Sequence, residues 1–344
     1  MSRLPVKSHE ERKRFCGQID TFNNRVYRME MFFAVDPIAP DFADDLLDAF
    51  ALAKRRNGKL ALFALIDTSF EYANPRPGRP VWKGQETSLY RGSELDALAN
   101  AAPCLFKLGD GHRLARVHIQ RLVETCNGKP MLSFVASELD SSLLANTFQD
   151  FLEVKTVDQQ QFVLRFADTR ILAGLDAVLL AEATYGWRMG IVHWWLPDRK
   201  GALSELPALT CNEDDYCRAK NVLVLSQYGF NQLVDHGEID AILNAIADQN
   251  PALLSTVLPS DNYCLIQRLL IQTNRLAIKS FPDVVMFCTT AMFTSEYFYL
   301  HPRFEQVLAS KIWTPGELGN AFLAIDDACW AEAESMGAQT KTVY

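Results

Sequence analysis

Up to about residue 205, apolar runs of strand length alternate with stretches of helical periodicity, and beyond Leu225 the helical pattern stands alone. This alternation constrains the fold more than any other feature. Elements with one apolar face must be layered against each other, and strand–helix alternation predicts an α/β layer built on a largely parallel sheet. The strand-like runs are Leu60–Ile66, Pro103–Leu108, Met131–Val135 and Gly190–Leu196, with a further short one before Pro207. A charged helix over Asp41–Arg56, stopped by Gly58, precedes the first of them. A second helix is marked by Leu114, Val117, Ile119, Leu122 and Val123, and a third by Leu143, Leu144, Phe148, Phe151 and Leu152. Ser93 before Asp96 and Ser137 before Asp140 have the spacing of capping boxes. In the C-terminal part Phe230, Leu233, Val234, Ile239, Ile242, Leu243 and Ile246 recur at helical spacing. Asn250-Pro251 and Thr314-Pro315-Gly316-Glu317 read as helix starts.

At roughly 150 residues per domain, a chain of 344 residues has room for two. The expected organisation is an N-terminal extension over 1–40, a mixed but largely parallel α/β lobe with flanking helices over 41–210, and an all-α lobe over 211–344. Asn212-Glu213-Asp214-Asp215 is the candidate hinge. The net charge of −8 leaves no electrostatic footprint for nucleic acid or an anionic membrane. The locally basic stretch Arg3–Arg28 is interrupted by Glu10, Glu11, Asp20 and Glu30, and reads as a solvated face. No apolar run reaches the ~18 residues of a membrane span, and the start carries no secretory h-region. Eight cysteines are scattered without a short pair, the closest being Cys211 and Cys217. Reduced thiols in a cytoplasmic protein are therefore expected, with Cys104, Cys264 and Cys288 in apolar runs. The segment Asn74–Pro80 reads as a stiff basic loop.

The stretch Gln161–Leu172 reads as a strand running into a helix. Phe162, Leu164 and Phe166 alternate with Val163, Arg165 and Ala167, and from Ile171 the period becomes helical. Asp168 stands at the N-cap. Arg170, a cation in the first helical turn, opposes the macrodipole by roughly 0.3–1 kcal/mol and needs a partner or a purpose. Two readings compete: Arg165 reaches Asp168 and pins the turn, while Arg170 contacts a partner's carboxylate or backbone.

Searches for chemistry return little. No nucleophile elbow, Walker loop, zincin motif, paired Cys-x-x-Cys or dinucleotide fingerprint is present. His112 and His118 fall on different helical faces, so no metal site is expected, and nothing implies a cofactor. Gly109-Asp110-Gly111 reads as a turn, His193 as a satisfied core histidine and His301 before Pro302 as a cap. Trp194 and Trp195 are adjacent in a strand and face opposite sides, which leaves one of them open to serve as an exposed anchor. The candidate partner-binding residues are thus Arg170, Trp187, Trp194 and Trp195, with core packing as the competing role of the tryptophans.

Four segments in order carry a resemblance: Leu62–Asp67, a strand ending in aspartate; Ser88-Leu-Tyr-Arg-Gly92; Ala102-Pro-Cys-Leu-Phe-Lys-Leu108; and Phe162–Leu172. Together they resemble the bacterial type VI secretion effector adaptors, the Tap or TEC chaperones, over about residues 58–200. Ala167 and Thr169 depart from the tyrosine and proline of the family's hallmark string. The loop 74–80 stands where a helix is expected, and the first 40 residues have no counterpart. The resemblance implies a cytoplasmic, non-enzymatic protein that binds a cognate effector and loads it onto the VgrG spike. It makes Asp67, Arg165 and Asp168 structural motif residues. The alternatives are a hydrolase or transferase with a site around Asp67, Arg165, Asp168 and His193, and a structural subunit of a secretion baseplate.

Overall fold

The computed structural model describes residues 32–73, 80, 82–109, 111–182, 184–209 and 223–340. The basic stretch 3–28, the loop 74–79, Asp110, Cys211, Cys217 and the hinge 212–215 lie outside the described residues. The chain divides into two compact units, Val35–Gly237 and a helical unit comprising Met1–Ala34 with Glu238–Tyr344.

In the first unit, helix α1 (Phe42–Arg56) buries Phe42, Ala43, Leu46, Leu47 and Ala53 and carries acids in its first turn and bases in its last, which suits the helix dipole at both ends. Strands β1 (Ala61–Asp67), β2 (Thr87–Ser88), β3 (Pro103–Lys107), β4 (Leu132–Ser137), β7 (Ile191–Pro197) and β8 (Leu203–Glu205) form one sheet in the order β2-β3-β1-β4-β7-β8. The small sheet is β6-β5-β9, from β5 (Glu153–Thr156), β6 (Gln161–Val163) and β9 (Val224–Leu225).

The expectation of a largely parallel sheet is wrong. Every pairing in the large sheet is antiparallel, and β5 with β9 is the parallel pair among the described strands. The reason is insertion. Strands β3 and β4 are joined through helix α3 (His112–Cys126) and run in the same direction, but β1 lies between them, antiparallel to both. This is a split crossover. Strand–helix alternation specifies the crossover and is silent on what occupies the slot between its strands.

Both faces of the large sheet are covered, so its strands read as continuous apolar runs. On one face Phe63, Leu65, Leu105, Val135 and Trp194 pack with helices α4 (Ser141–Gln149) and α5 (Thr169–Ala181) through Phe148, Leu172, Leu175 and Leu179. On the other, Phe134 meets Phe42 of α1 at 6.0 Å between ring centroids, and Phe106 meets His118 of α3 at 5.3 Å.

Two caps differ from the sequence reading. Ser137 stays in β4 and donates to the Gly190 carbonyl where the β4–β7 ladder shifts register, so the N-cap of α4 passes to Asp140, which accepts from Ser142 N and Leu143 N at 2.9 Å. The helix after Ser93 is a single 3₁₀ stretch, Asp96–Ala101.

The β7–β8 hairpin loop is held against residues 36–39, with Asp36 N–H donating to Arg199 O and Ala39 N–H to Gly201 O. Gly201 has φ +79°, and a Cβ there would lie 2.1 Å from the Pro37 carbonyl oxygen. Gly201→Ala is expected to cost the about 1–3 kcal/mol of a strained backbone and, in addition, to push residues 36–39 off the hairpin. Gly92→Ala, with φ +80° and open space around the added methyl, is the matched control. Equal losses in denaturant unfolding would show that the Pro37 contact carries nothing.

The helical unit packs α6 (Gln227–Gln249, from Glu238 onward) with α7 (Pro259–Arg275), α8 (Phe281–Phe293), α9 (Pro302–Ser310), α10 (Leu318–Leu323) and α11 (Asp327–Thr340). Ile242, Ile246, Leu269, Phe287, Phe298, Phe304, Phe322 and Trp330 centre its core. The capping box expected at Thr314–Glu317 is replaced by buried Asp283, three residues into α8. Its carboxylate accepts from Leu318 N and Gly316 N at 2.9 Å and from Trp313 Nε1 at 3.2 Å. His301 is the side-chain cap of α9 that the sequence predicts, accepting from Arg303 N.

Candidate functional site

The strand expected over 162–167 is short. Only Gln161–Val163 pair as β6, and Leu164 to Asp168 turn the chain into α5. The turn brings four parts of the fold to one corner: the end of β1, the start of helix α2 (Ser69–Ala73), the N-terminus of α5, and the Lys129-Pro130 turn before β4.

The ion pairs at this corner are swapped relative to the sequence reading. Arg165 does not reach Asp168. Its Nη2 donates to Asp67 Oδ2 at 2.8 Å and to Ser69 Oγ at 2.9 Å. Asp168 is held by Arg170 instead, through Nε to Oδ1 at 3.0 Å and Nη2 to Oδ2 at 2.7 Å, while Arg170's own backbone N–H donates to Oδ1 at 3.1 Å. Asp168 thus caps α5 and anchors the cation that would otherwise oppose its dipole. The side chain of Arg170 is 10% exposed and that of Asp168 0%, against 41% for Arg165. The more exposed arginine of the corner is Arg165, and most of the Arg170 side chain is covered. The geometry is physically natural: residues two apart across an N-cap fold back on each other, whereas Arg165 points away from the helix it precedes.

Phe70 makes a cation–π contact with both guanidinium groups, its ring centroid 4.9 Å from Arg165 Cζ and 5.8 Å from Arg170 Cζ. Asp67 is further fixed by Ser69 N–H and Oγ–H, at 3.1 and 2.6 Å. Lys129 Nζ meets Glu71 Oε1 at 3.3 Å, and Pro130 O accepts from Thr169 N–H at 3.0 Å. Burial, and then the charge of Asp67, push the Tyr90 hydroxyl above its ordinary pKa, with Arg165 acting against them.

None of the three tryptophans is an exposed anchor. Trp187, Trp194 and Trp195 are buried because helices cover both sheet faces. Trp187 and Trp194 sit 5.1 Å apart beside Phe148 and Phe166, and Trp194 Nε1 donates to Ser133 Oγ at 3.0 Å. On the opposite face Trp195 stacks on His193 at 5.0 Å. Phe166 of the hallmark string is thus a core aromatic and Leu172 a core aliphatic.

Asp67, Asp168 and His193 are not gathered into one site. Asp67 and Asp168 share the corner, but His193 lies opposite Ala136, which lies opposite Leu62. Five residues of β1 separate that level from Asp67, about 16–17 Å at ~3.3 Å per residue. There His193 Nδ1 meets Glu205 Oε1 of β8 at 2.5 Å. Burial pushes the Cys104 and Cys288 thiols well above their ordinary pKa, which withholds the thiolate a nucleophile needs. Among the described residues no group of His, Cys, Asp and Glu is placed to hold a metal ion, and no helix is long and apolar enough to cross a membrane.

Sequence reasoning missed three residues. Ser69 and Phe70 complete the corner, and only the Asp-x-Ser spacing at Asp67 hinted at the first. Arg188 is buried with Asp176, and its Nη1 donates to Pro207 O at 2.7 Å. That pairing had no signal in the sequence.

Residues 62–184 match a family model described as Domain of unknown function (DUF4123). No curated protein and no solved structure matches the chain.

Proposed function

We propose that this chain is a cytoplasmic adaptor that binds a cognate type VI secretion effector and loads it onto the VgrG spike by protein–protein contact, without catalysis. The observation that carries the reading is the ordered set of four motifs resembling the effector adaptors. All four lie inside the 62–184 span that matches one family model. The corner supports it in a second way. The charged residues of the hallmark string are engaged with one another and with the fold: Asp168 with Arg170, and Asp67 with Arg165 and Ser69. A string of that kind builds a scaffold on which variable surfaces can sit. The hydrolase or transferase alternative would need His193 near Asp67, and the register of β1, β4 and β7 keeps them at opposite ends of the sheet.

Co-expression of the chain with the products of its neighbouring genes, followed by affinity purification and size exclusion, is expected to give a stable complex with one of them, the effector. Addition of the spike protein's C-terminal tail is expected to give a larger one. Failure to retain either protein at micromolar concentrations would end the adaptor reading.

A further inference from the structure

Among the described strands β6 is an edge of the small sheet, and it ends at Val163, two residues before Arg165. Leu164 N–H donates to Leu152 O at 2.8 Å, and Thr156 N–H to Gln160 O at 2.9 Å. The even-numbered residues of β6 therefore face β5. In an antiparallel ladder the alternate residues, Gln161 and Val163, direct their N–H and C=O groups away from it. The order β6-β5-β9 leaves that side of β6 unpaired among the described strands.

Edges are normally blunted by brevity, charge, proline or a covering element, and β6, though only three residues long, carries apolar side chains. Here Phe162 and Val163 are 37% and 41% exposed, and Val157 in the turn after β5 and Val224 of β9 are also exposed. Phe162 rests on Phe230 at 5.3 Å, which fixes its ring as a platform. On the other face of the strand, Gln161 lines a cleft of about 360 Å³ with Leu95, Leu152, Glu153 and Lys155. Two residues past Val163, the Arg165 guanidinium is hydrogen-bonded through Nη2 and lies over the Phe70 ring, 4.9 Å from its centroid. Among the described residues its Nε and Nη1 have no partner, although the side chain is 41% exposed. An arginine fixed at one nitrogen with its remaining donors open is pre-organised for a carboxylate.

We propose that β6 is a docking edge for an extended segment of a partner protein. The segment adds as a fourth strand through Gln161 and Val163, and its acidic side chain, two positions beyond the residue opposite Val163, meets Arg165. Main-chain bonds along the edge supply affinity, and the alternate side chains supply selection. With a chain net charge of −8, an acidic segment gains nothing from the overall field, so selection rests on this one guanidinium. The inference goes beyond the adaptor reading, since the edge accepts such a segment whether it belongs to an effector or to another protein.

The test pans a phage-displayed library of random twelve-residue peptides on the full chain, with the Val163→Pro chain as the counter-target. Proline at an outward-facing edge position removes a donor that no ladder bond uses, so the variant keeps its fold. Enriched peptides are expected to alternate β-branched or aromatic residues and to carry Asp or Glu at one fixed position. By fluorescence anisotropy the best of them is expected to bind Val163→Pro at least about tenfold more weakly. It is expected to bind Arg165→Lys several-fold more weakly, because lysine keeps the charge and loses the fork. Amide exchange on the unsubstituted chain supplies a reading free of any folding defect: the bound peptide should slow exchange at Gln161 and Val163. Peptides that bind both chains equally, that lack a fixed acidic residue, or that leave those amides unprotected would overturn the proposal, as would a library with no enrichment on the unsubstituted chain.

Discussion

Asp168→Ala is expected to lower the stability of the α/β unit by about 3–5 kcal/mol, the usual cost of removing one partner from a buried ion pair. Three losses coincide at this carboxylate. The first turn of α5 loses the acceptor for Arg170 N–H, a cap worth typically ~1 kcal/mol. The Arg170 side chain, 10% exposed, loses two charge-assisted bonds. The guanidinium also loses the carboxylate that offsets its place beside a helix N-terminus, where the dipole disfavours a cation. Asp168→Asn is expected to fall between alanine and the native residue, since the amide oxygen still caps the helix. Arg170→Glu is expected to lose at least as much as Asp168→Ala, because it sets two carboxylates against each other in a dry site. Urea unfolding followed by tryptophan fluorescence suits the measurement, because Trp187 and Trp194 lie in the core behind the turn. A loss below about 1 kcal/mol for both Asp168→Ala and Arg170→Glu would return Arg170 to the surface, as a residue free for a partner.

Asp176→Ala is expected to be as damaging, by about 3–5 kcal/mol. Asp176 and Arg188 are both buried, 3.4 Å apart, and Trp187 Nε1 also donates to Asp176, at 3.1 Å. Removal of the carboxylate takes away an ion-pair partner of buried Arg188 and the acceptor of Trp187 Nε1 in one step. Replacing the pair together, with Asp176→Leu and Arg188→Met, is expected to be close to neutral, because the attraction between buried charges is largely offset by their desolvation. The double-mutant cycle separates these contributions. Burial raises the Asp176 pKa from 3.8, against the opposing effects of Arg188 and Trp187. An acid whose folded-state pKa is raised binds its proton more tightly when folded. Its contribution to stability is therefore complete below the unfolded value and is lost as pH rises through the folded one. The stability of the native chain relative to Asp176→Asn should accordingly increase as pH falls through the raised value towards 3.8. A difference that stays flat from neutral pH to about pH 3.5, or that moves the other way, would remove burial as the dominant influence on this carboxylate.

Element positions were largely legible in the sequence. The runs at Leu60–Ile66 and Gly190–Leu196 became β1 and β7 within a residue or two, and the helix ending before Gly58 is α1. Those signals are local: strand period, helical period and the residues that stop a helix. Pairing direction was not legible, because the insertion of β1 between β3 and β4 is a decision between residues 36 (Asp67 to Pro103) to 76 (Ala61 to Ser137) positions apart. Caps failed where another element offered a better acceptor. Asp283 of α8 reaches the backbone of the 316–318 turn, and no pattern within Thr314–Glu317 announces it. Tryptophan exposure failed for a related reason: alternation along β7 sends Trp194 and Trp195 to opposite faces, and helices cover both.

The corner divides along the same line. By itself the sequence determined that Asp168 caps a helix, that Arg170 in its first turn must have a partner, and that Asp67 ends a buried strand. Those conclusions follow from backbone groups and dipoles within a few residues of each side chain. Only the tertiary structure decided which arginine meets which carboxylate. It sent Arg165 98 and 96 residues back in the chain to Asp67 and Ser69, set Phe70 beside both cations, and left Arg165 as the more exposed one, two residues past β6. Charge pairing depends on which ends of which strands are brought together, and that is settled by the packing of the sheet.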